Sequence, residues 1–192
     1  MKINSRHVAI FLLLILLSVG FGFGFDAAAT AIEKHRYPID QTLSDAVCEA
    51  SELYEIPQPI LWATLRTGSG FASNAVSEDG RIGLMQLTPD EFAFICVSVM
   101  GGEAKDAGML YDPTTNLTAG CAYLAYLYQY YGVWKHAFAA YRAGVETVNG
   151  WLENPENLSE QGVLITIPDQ GVAAYVQSLE EAVDCYDRLY DF

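Results

Sequence analysis

Acidic side chains that can donate or accept a proton lie just beyond residues 66–71, which have the sequence Arg-Thr-Gly-Ser-Gly-Phe. Glu78 and Asp79 are the nearest of them, and Glu91 and Glu146 follow further along the chain. A carboxylic acid acts as a general acid where an apolar pocket raises its pKa towards the working pH. Glu78 and Asp79 precede a glycine and are typical of a turn, and Glu91 is placed to cap a helix. Each of these three carboxylates therefore has a structural interpretation beside a catalytic one.

A metal site is disfavoured by the spacing of the residues that bind metals. No two of the four cysteines are near each other in sequence, and His35 and His136 show no ligand spacing. We therefore expect neither a metal ion nor a cofactor.

Short motifs on both sides of residue 68 occur in a fixed order. They are Ile-Pro-Gln-Pro-Ile-Leu at 56–61, Gly-Leu-Met-Gln-Leu-Thr-Pro at 83–89, Tyr-Asp-Pro at 111–113, Asn-Leu-Thr-Ala-Gly at 116–120 and Ala-Ala-Tyr-Arg-Ala-Gly at 139–144. By these motifs the chain resembles the soluble lytic transglycosylase family, whose bacterial domain is similar to goose-type lysozyme. The resemblance covers about residues 40–190. It implies a mainly α, lysozyme-like helical domain with little or no sheet.

Gly68 is the main departure from the family pattern. In the family a helix ends in Glu-Ser-x-Phe, and alignment on Ser69 and Phe71 puts Gly68 at the position of the glutamate. The resemblance implies that this single Glu acts first as acid and then as base, while a hydroxyl of the sugar attacks to form an anhydro product. Glycine can neither donate nor accept that proton. The resemblance therefore predicts a protein that binds peptidoglycan glycan strands and cleaves them poorly or not at all.

The resemblance also implies roles for other residues. Met85 and Gln86 would line a sugar-binding groove, and Tyr141 would stack near the glycan or hydrogen-bond it, although Met85 and Tyr141 are also typical of a core. In the family, the serine at this position supports the acid by hydrogen bonding. Because Gly68 provides no acid here, the role of Ser69 is open. Arg142 stands where the family usually has Asn. It either presents donors to glycan oxygens or to a peptide carboxylate, or is a charge at an exposed helix end.

Two other functions are compatible with the same sequence. One is an active transglycosylase with a relocated acid, for which Glu78 is the first candidate. The other is a non-enzymatic scaffold with a closed cleft that binds another envelope protein.

The N terminus predicts export. Lys2 and Arg6 precede an apolar run, and Ala-Thr-Ala follows at 29–31, as in a secretory signal peptide that ends at residue 31. The alternative is a retained membrane anchor, because residues 8–25 carry no charge. In both cases we expect an extracytoplasmic domain, either secreted or anchored to the bacterial membrane by residues 1–31.

Composition indicates one globular domain with an acidic surface. The chain has 192 residues, of which 52% are hydrophobic, enough for a substantial core. Its net charge of −14 opposes binding to nucleic acid and to anionic membrane surfaces. Membrane contact is therefore expected only through the N-terminal segment.

Apolar spacing predicts helices at about 43–54, 57–67, 88–100, 115–131, 134–143 and 172–190, with only 163–167 extended. Cys96 and Cys121 fall on the apolar faces of their helices, whereas Cys48 and Cys185 fall off theirs. Disulfides are common in exported domains. We therefore expect a Cys48–Cys185 bridge from the first helix to the last. We also expect Cys96 and Cys121 to form a core pair, either bonded or packed as small hydrophobes.

Overall fold

The computed structural model of the chain describes residues 28–192, which fall into two units. In the first unit, which ends at residue 38, residues 28–36 form a helix. Residues 1–27 of the predicted signal peptide or anchor lie outside the described residues. No helix within residues 28–192 is long and apolar enough to cross a membrane.

The second unit, residues 39–192, is built from helices. They are α1 (Ser44–Tyr54), α2 (Gln58–Gly68), α3 (Pro89–Phe94), α4 (Pro113–Tyr131), α5 (Trp134–Ala143), α6 (Val145–Leu152) and α7 (Gln170–Leu189). A π-helical turn, Ile95–Val99, continues α3, and 3₁₀ turns occur at Ala107–Tyr111 and Pro155–Asn157. The described residues contain isolated β-bridges but no longer strand. The predicted fold class, mainly α with little or no sheet, is confirmed.

Helix α2 lies at the centre of the core. Its residues 59–65 are all buried, and it packs against α7 along one side and against α1 along another. Leu61 and Leu65 are fully buried, and each contributes about 1.5–3 kcal/mol by leaving water. Helix α5 also packs against α7 and α4. This packing brings the last turn of α2 close to α5 and α7.

Local signals set several of the helix ends. The Thr88 side chain accepts a hydrogen bond from the Glu91 N–H, and the Glu91 carboxylate accepts one from the Thr88 N–H, so the predicted capping box is confirmed. Gly132 ends α4 with a φ of 67°, a left-handed conformation that glycine adopts without strain. Helix α6 was not predicted, because α5 and α6 are separated only by Gly144 and neither end of α6 has a side-chain cap.

The predicted Cys48–Cys185 disulfide is not formed, and all four cysteines are unbonded thiols. Cys48 lies on α1, which packs mainly against α2 and α4, whereas Cys185 lies on α7, which packs mainly against α2 and α5. The Cys48–Cys185 prediction fails because sequence does not show which helices are neighbours. Cys96 and Cys121 are both buried on elements that contact each other, as expected for packed small hydrophobes. Burial raises the pKa of the Cys121 thiol to about 12.

Candidate functional site

A buried asparagine holds the Gly-Leu-Met-Gln loop in place. Asn116, on α4, is fully buried, and its side-chain oxygen accepts a hydrogen bond from the Met85 N–H at 2.7 Å. Its amide nitrogen donates to the carbonyls of Ile82 and Leu110, both at 2.9 Å. Gly83 has a φ of +80°, and a Cβ there would lie 2.3 Å from the Asn116 nitrogen. Only glycine therefore allows the loop to approach Asn116 so closely.

One turn further along α4, Gly120 packs directly against Met85 of the same loop. A Cβ on Gly120 would lie 2.4 Å from the Met85 Cβ, and Met85 is only 1% exposed. Asn116 and Gly120 are four residues apart and so share a helix face. The two motifs at 83–89 and 116–120 are thus parts of one packed unit.

Beside this loop lies a cavity of about 260 Å³. Its walls are the end of α2, the segment 77–86, the end of α5 and the beginning of α7. The lining residues are Thr64, Thr67, Gly68, Ser77, Asp79, Arg81, Met85, Gln86, Tyr141, Arg142, Gly171 and Tyr175. Five of the residues predicted for the site, Gly68, Met85, Gln86, Tyr141 and Arg142, therefore come together.

Gly68 is the last residue of α2 and lies at the cavity wall with its backbone outside the left-handed region. A Cβ built there would lie 3.4 Å from the Gln86 Cγ and 3.8 Å from the Leu84 carbonyl oxygen. These are ordinary van der Waals distances. A Cβ at this position therefore requires no change in the backbone.

Two predicted site residues do not line the cavity. The Ser69 hydroxyl donates to the Leu65 carbonyl of its own helix at 3.2 Å, so it turns back onto α2. Glu78 is exposed on the loop, and within residues 28–192 it makes no hydrogen bond or ion pair. A turn position places its side chain in solvent, as its position before a glycine suggested.

Tyr141 belongs to the core and to the cavity at once. It is 3% exposed, it packs on Tyr123 with ring centroids 5.4 Å apart, and its hydroxyl donates to the Met85 carbonyl at 2.8 Å. Burial raises the pKa of Tyr141 well above its ordinary value. Gln86 is also engaged, because its amide nitrogen donates to the carbonyls of Gly83 and Ala75.

Arg81 was not identified from the sequence, yet its guanidinium links several segments of the site by hydrogen bonds. Although charged, it is only 8% exposed. Its guanidinium donates to Asp79, to the Gln86 carbonyl, to both Glu91 oxygens and to the Arg142 carbonyl. Arginine has five N–H donors, so all of them are used. Glu91 is correspondingly held by Arg81 and by the Thr88 N–H, which removes it as a candidate acid.

Asp79 and Arg142 form an ion pair at the cavity although 63 residues separate them. Asp79 also accepts from the Ser77 hydroxyl at 2.6 Å and from the Arg81 Nε at 3.3 Å. The Ser77 hydrogen bond, followed by Arg142, holds the pKa of Asp79 well below its ordinary value. The Arg142 side chain is 34% exposed, so it is a cavity residue as well as a helix-end charge.

Thr67 and Tyr175 complete the polar lining. The Thr67 Oγ1 is enclosed and finds no hydrogen-bond partner in the described part of the chain. Burial raises the pKa of Tyr175 to about 12, so its phenol stays protonated. Thr67 lies beside Gly68 in sequence, whereas Tyr175 is brought in by the packing of α7 against α2.

The described lining is suited to binding by hydrogen bonds and presents a single carboxylate. Among the described lining residues the only carboxylate is Asp79, and it is ionised and paired. Arg142 and Tyr175 offer donors instead. No group of three or more His, Cys, Asp or Glu that could hold a metal ion occurs within residues 28–192.

Comparison with known proteins gives a consistent match. Residues 45–163 match the transglycosylase SLT domain family. The soluble lytic murein transglycosylase of Escherichia coli K12 is 32% identical over 138 residues, which are 71% of this chain and 21% of that protein. The chain thus spans about a fifth of the length of this relative.

Solved structures show the same fold. The complex of the 70-kDa soluble lytic transglycosylase with bulgecin A matches with a TM-score of 0.72 and 29% identity, over 81% of this chain and 25% of that one. The lytic transglycosylase Slt of Pseudomonas aeruginosa, solved as an inactive mutant with Gln in place of a Glu, matches with a TM-score of 0.70 and 27% identity, over 83% of this chain and 27% of that one.

Proposed function

The chain belongs to the transglycosylase SLT domain family, and from that premise we propose that it binds peptidoglycan glycan strands in the cavity beside Gly68 and cleaves them poorly or not at all. The names of its relatives supply the ligand class, because murein is peptidoglycan. Residues 40–190 form the binding domain in this proposal. Residues 1–31 export it as a signal peptide or hold it at the membrane as an anchor.

The state of the cavity carboxylate is the observation that carries the proposal. Cleavage of a glycosidic bond needs a proton on the leaving oxygen, and a glycosidase provides it from a carboxylic acid with a raised pKa. Asp79 has a lowered pKa and is paired with Arg142, so it cannot serve as that acid near neutral pH. Gly68 has no side chain to replace it.

A relative gives independent support for the importance of a single carboxylate. The Pseudomonas aeruginosa enzyme is inactive when one Glu is changed to Gln. A change from Glu to Gly removes the hydrogen-bonding group as well as the acid. Loss of a general acid typically costs about 10² to 10⁴ in rate.

Binding does not require that acid. The loop of residues 83–86 is held by Asn116 and Gly120, and Gln86 and Tyr141 are fixed by hydrogen bonds to backbone carbonyls. The cavity walls are therefore ordered before a ligand arrives, which lowers the entropic cost of binding.

Two measurements on purified peptidoglycan test the proposal. The protein without residues 1–31 is incubated with insoluble peptidoglycan; the pellet is assayed for bound protein, and the soluble products are analysed by mass spectrometry. We expect co-sedimentation, with anhydro-muropeptides at least 100-fold below those of an active SLT-domain enzyme. Abundant anhydro products that disappear in the Glu78→Gln variant would indicate a relocated acid. Absence of both binding and products would indicate a non-enzymatic scaffold. Either result contradicts the proposal.

A further inference from the structure

We propose that the cavity selects glycan ligands that carry a carboxylate, and that Arg142 binds this carboxylate. The inference rests on the proposed function, since it concerns the glycan that the cavity takes. It goes further by assigning a ligand chemistry to a residue that departs from the family pattern.

The two cavity arginines differ in their free hydrogen-bonding capacity. Every N–H donor of Arg81 is used by Asp79, Glu91 and two backbone carbonyls. Among the described residues, the Arg142 side chain has one protein partner, Asp79, which its Nη1 contacts. Arg142 therefore retains most of its five donors, in a fork geometry that matches a carboxylate.

The surroundings of Arg142 favour an acceptor-rich ligand. Both oxygens of Asp79 are already hydrogen-bonded, to Ser77 and to the two arginines. The Tyr175 phenol, kept protonated because burial raises its pKa to about 12, lines the same cavity and adds a donor. With glycine at position 68, no second carboxylate in the described lining repels an anionic ligand.

The ion pair with Asp79 positions Arg142 without burying it. The two side chains are 34% and 46% exposed, so a ligand reaches the guanidinium from solvent. Solvent weakens such an exposed pair, so a ligand carboxylate can share Arg142 with Asp79 or displace Asp79. The net charge of −14 repels anions at long range, but at physiological salt this repulsion is screened beyond about 8 Å. Contact with Arg142 therefore decides selectivity.

Peptidoglycan offers the carboxylate from two sources. One is the lactyl group of a muramic acid without its peptide, and the other is the peptide stem of an intact strand. Titration with three tetrasaccharides distinguishes the two sources. The first is chitotetraose, which is neutral. The second is two linked GlcNAc–MurNAc repeats without peptide, which carry free lactyl groups, and the third is the same two repeats with their peptides.

We expect calorimetry to show that at least one anionic tetrasaccharide binds about tenfold more tightly than chitotetraose, as charge-assisted hydrogen bonds predict. Arg142→Gln should reduce this preference to within about twofold, and its circular dichroism spectrum, matching that of the wild type, shows that the variant is folded. Asp79→Asn should strengthen the preference, because it releases Arg142. Lys135→Gln is the matched control: it removes one positive charge from the same helix, outside the cavity lining, and should preserve the preference.

Each other outcome decides a separate question. Equal affinity for all three ligands, or a preference that Arg142→Gln leaves intact, overturns the role of Arg142 while the proposed glycan binding stands. Absence of binding to every ligand overturns the proposed function itself, and this inference with it.

Discussion

Two regions that meet at the cavity are built on different principles. The loop support consists of residues 83–86 with Asn116 and Gly120, and the charged rim consists of Gly68, Asp79 and Arg142. In the loop support, Met85 and Asn116 are buried, the two glycines allow close packing, and the Asn116 side chain makes three hydrogen bonds. In the rim one position lacks a side chain, and the other two form an exposed ion pair.

The difference shows which parts of the site tolerate substitution. A change in the loop support must move backbone or leave buried polar groups unpaired, so it costs stability. A substitution in the rim places the new side chain next to solvent. It therefore alters the chemistry of the cavity and lowers the stability of the fold little. The absence of a side chain at position 68 is thus compatible with an intact domain.

The largest effect is expected in the loop support, from Asn116→Ala. This substitution leaves the Met85 N–H and the Leu110 carbonyl without partners, whereas the Ile82 carbonyl keeps its hydrogen bond from the Leu87 N–H. It should lower the free energy of unfolding by about 3–5 kcal/mol. Urea denaturation followed by circular dichroism measures it. Asn74→Ala, at an exposed position, is the control and should change stability by no more than about 0.5 kcal/mol. A loss below 1 kcal/mol in Asn116→Ala would show that the loop is not held by this residue.

In the rim, Gly68→Glu should restore measurable cleavage of peptidoglycan, by about 100-fold over the wild type. A Cβ fits at this position beside Gln86, and position 68 itself lines the cavity. Release of anhydro-muropeptides is the measurement. Gly68→Gln, which adds the same bulk without an acid, should stay inactive. A folded Gly68→Glu variant that binds strands and yields no products would show that other rim residues also prevent cleavage.

A smaller effect is expected when Arg142→Asn is added to Gly68→Glu. A nearby guanidinium lowers the pKa of an introduced carboxylic acid, and a general acid must be protonated to act. Removal of Arg142 should therefore move the alkaline limb of the pH–rate profile up by about one unit and raise the rate at pH 7 about three- to tenfold. Lys135→Asn in the same background serves as the control. An unchanged profile would indicate that Arg142 does not act on position 68.

The smallest effect concerns the stability that Asp79 contributes. The pKa of Asp79 is lowered in the folded state, so its contribution is present above the unfolded pKa of about 3.9 and is lost as the pH falls through the folded value. Because the side chain is 46% exposed, solvent limits this contribution to less than about 1 kcal/mol. Between pH 6 and pH 2, wild type should lose up to that much more stability than Asp79→Asn. Glu78→Gln, one residue away in solvent, should behave as wild type.

Local patterns predicted much of the fold and some of the site. The capping box at Thr88 and the prolines at the start of α2, Pro57 and Pro59, set helix ends through residues only a few positions apart. The periodic spacing of apolar residues predicted the bounds of α4, α5 and α7 within a few residues. The motif match placed Gly68 and Met85 at what proved to be one cavity.

Contacts between distant segments were not predictable in the same way. Arg81 precedes Ile82 in an otherwise ordinary loop, and nothing in that loop indicates that Glu91 and the carbonyl of Arg142 will consume its donors. The cysteine pairing failed for the same reason, because helical faces do not reveal which helix lies opposite.

The sequence by itself determined the helical fold, the family and the absence of a side chain at position 68, because these follow from local spacing and residue identity. Only the tertiary structure decided which carboxylate enters the cavity and in what state of charge. Asp79 reaches Arg142 across 63 residues because the packing of α5 against α4 and α7 brings the end of α5 to the loop. The pKa of that carboxylate depends on neighbours that the fold supplies.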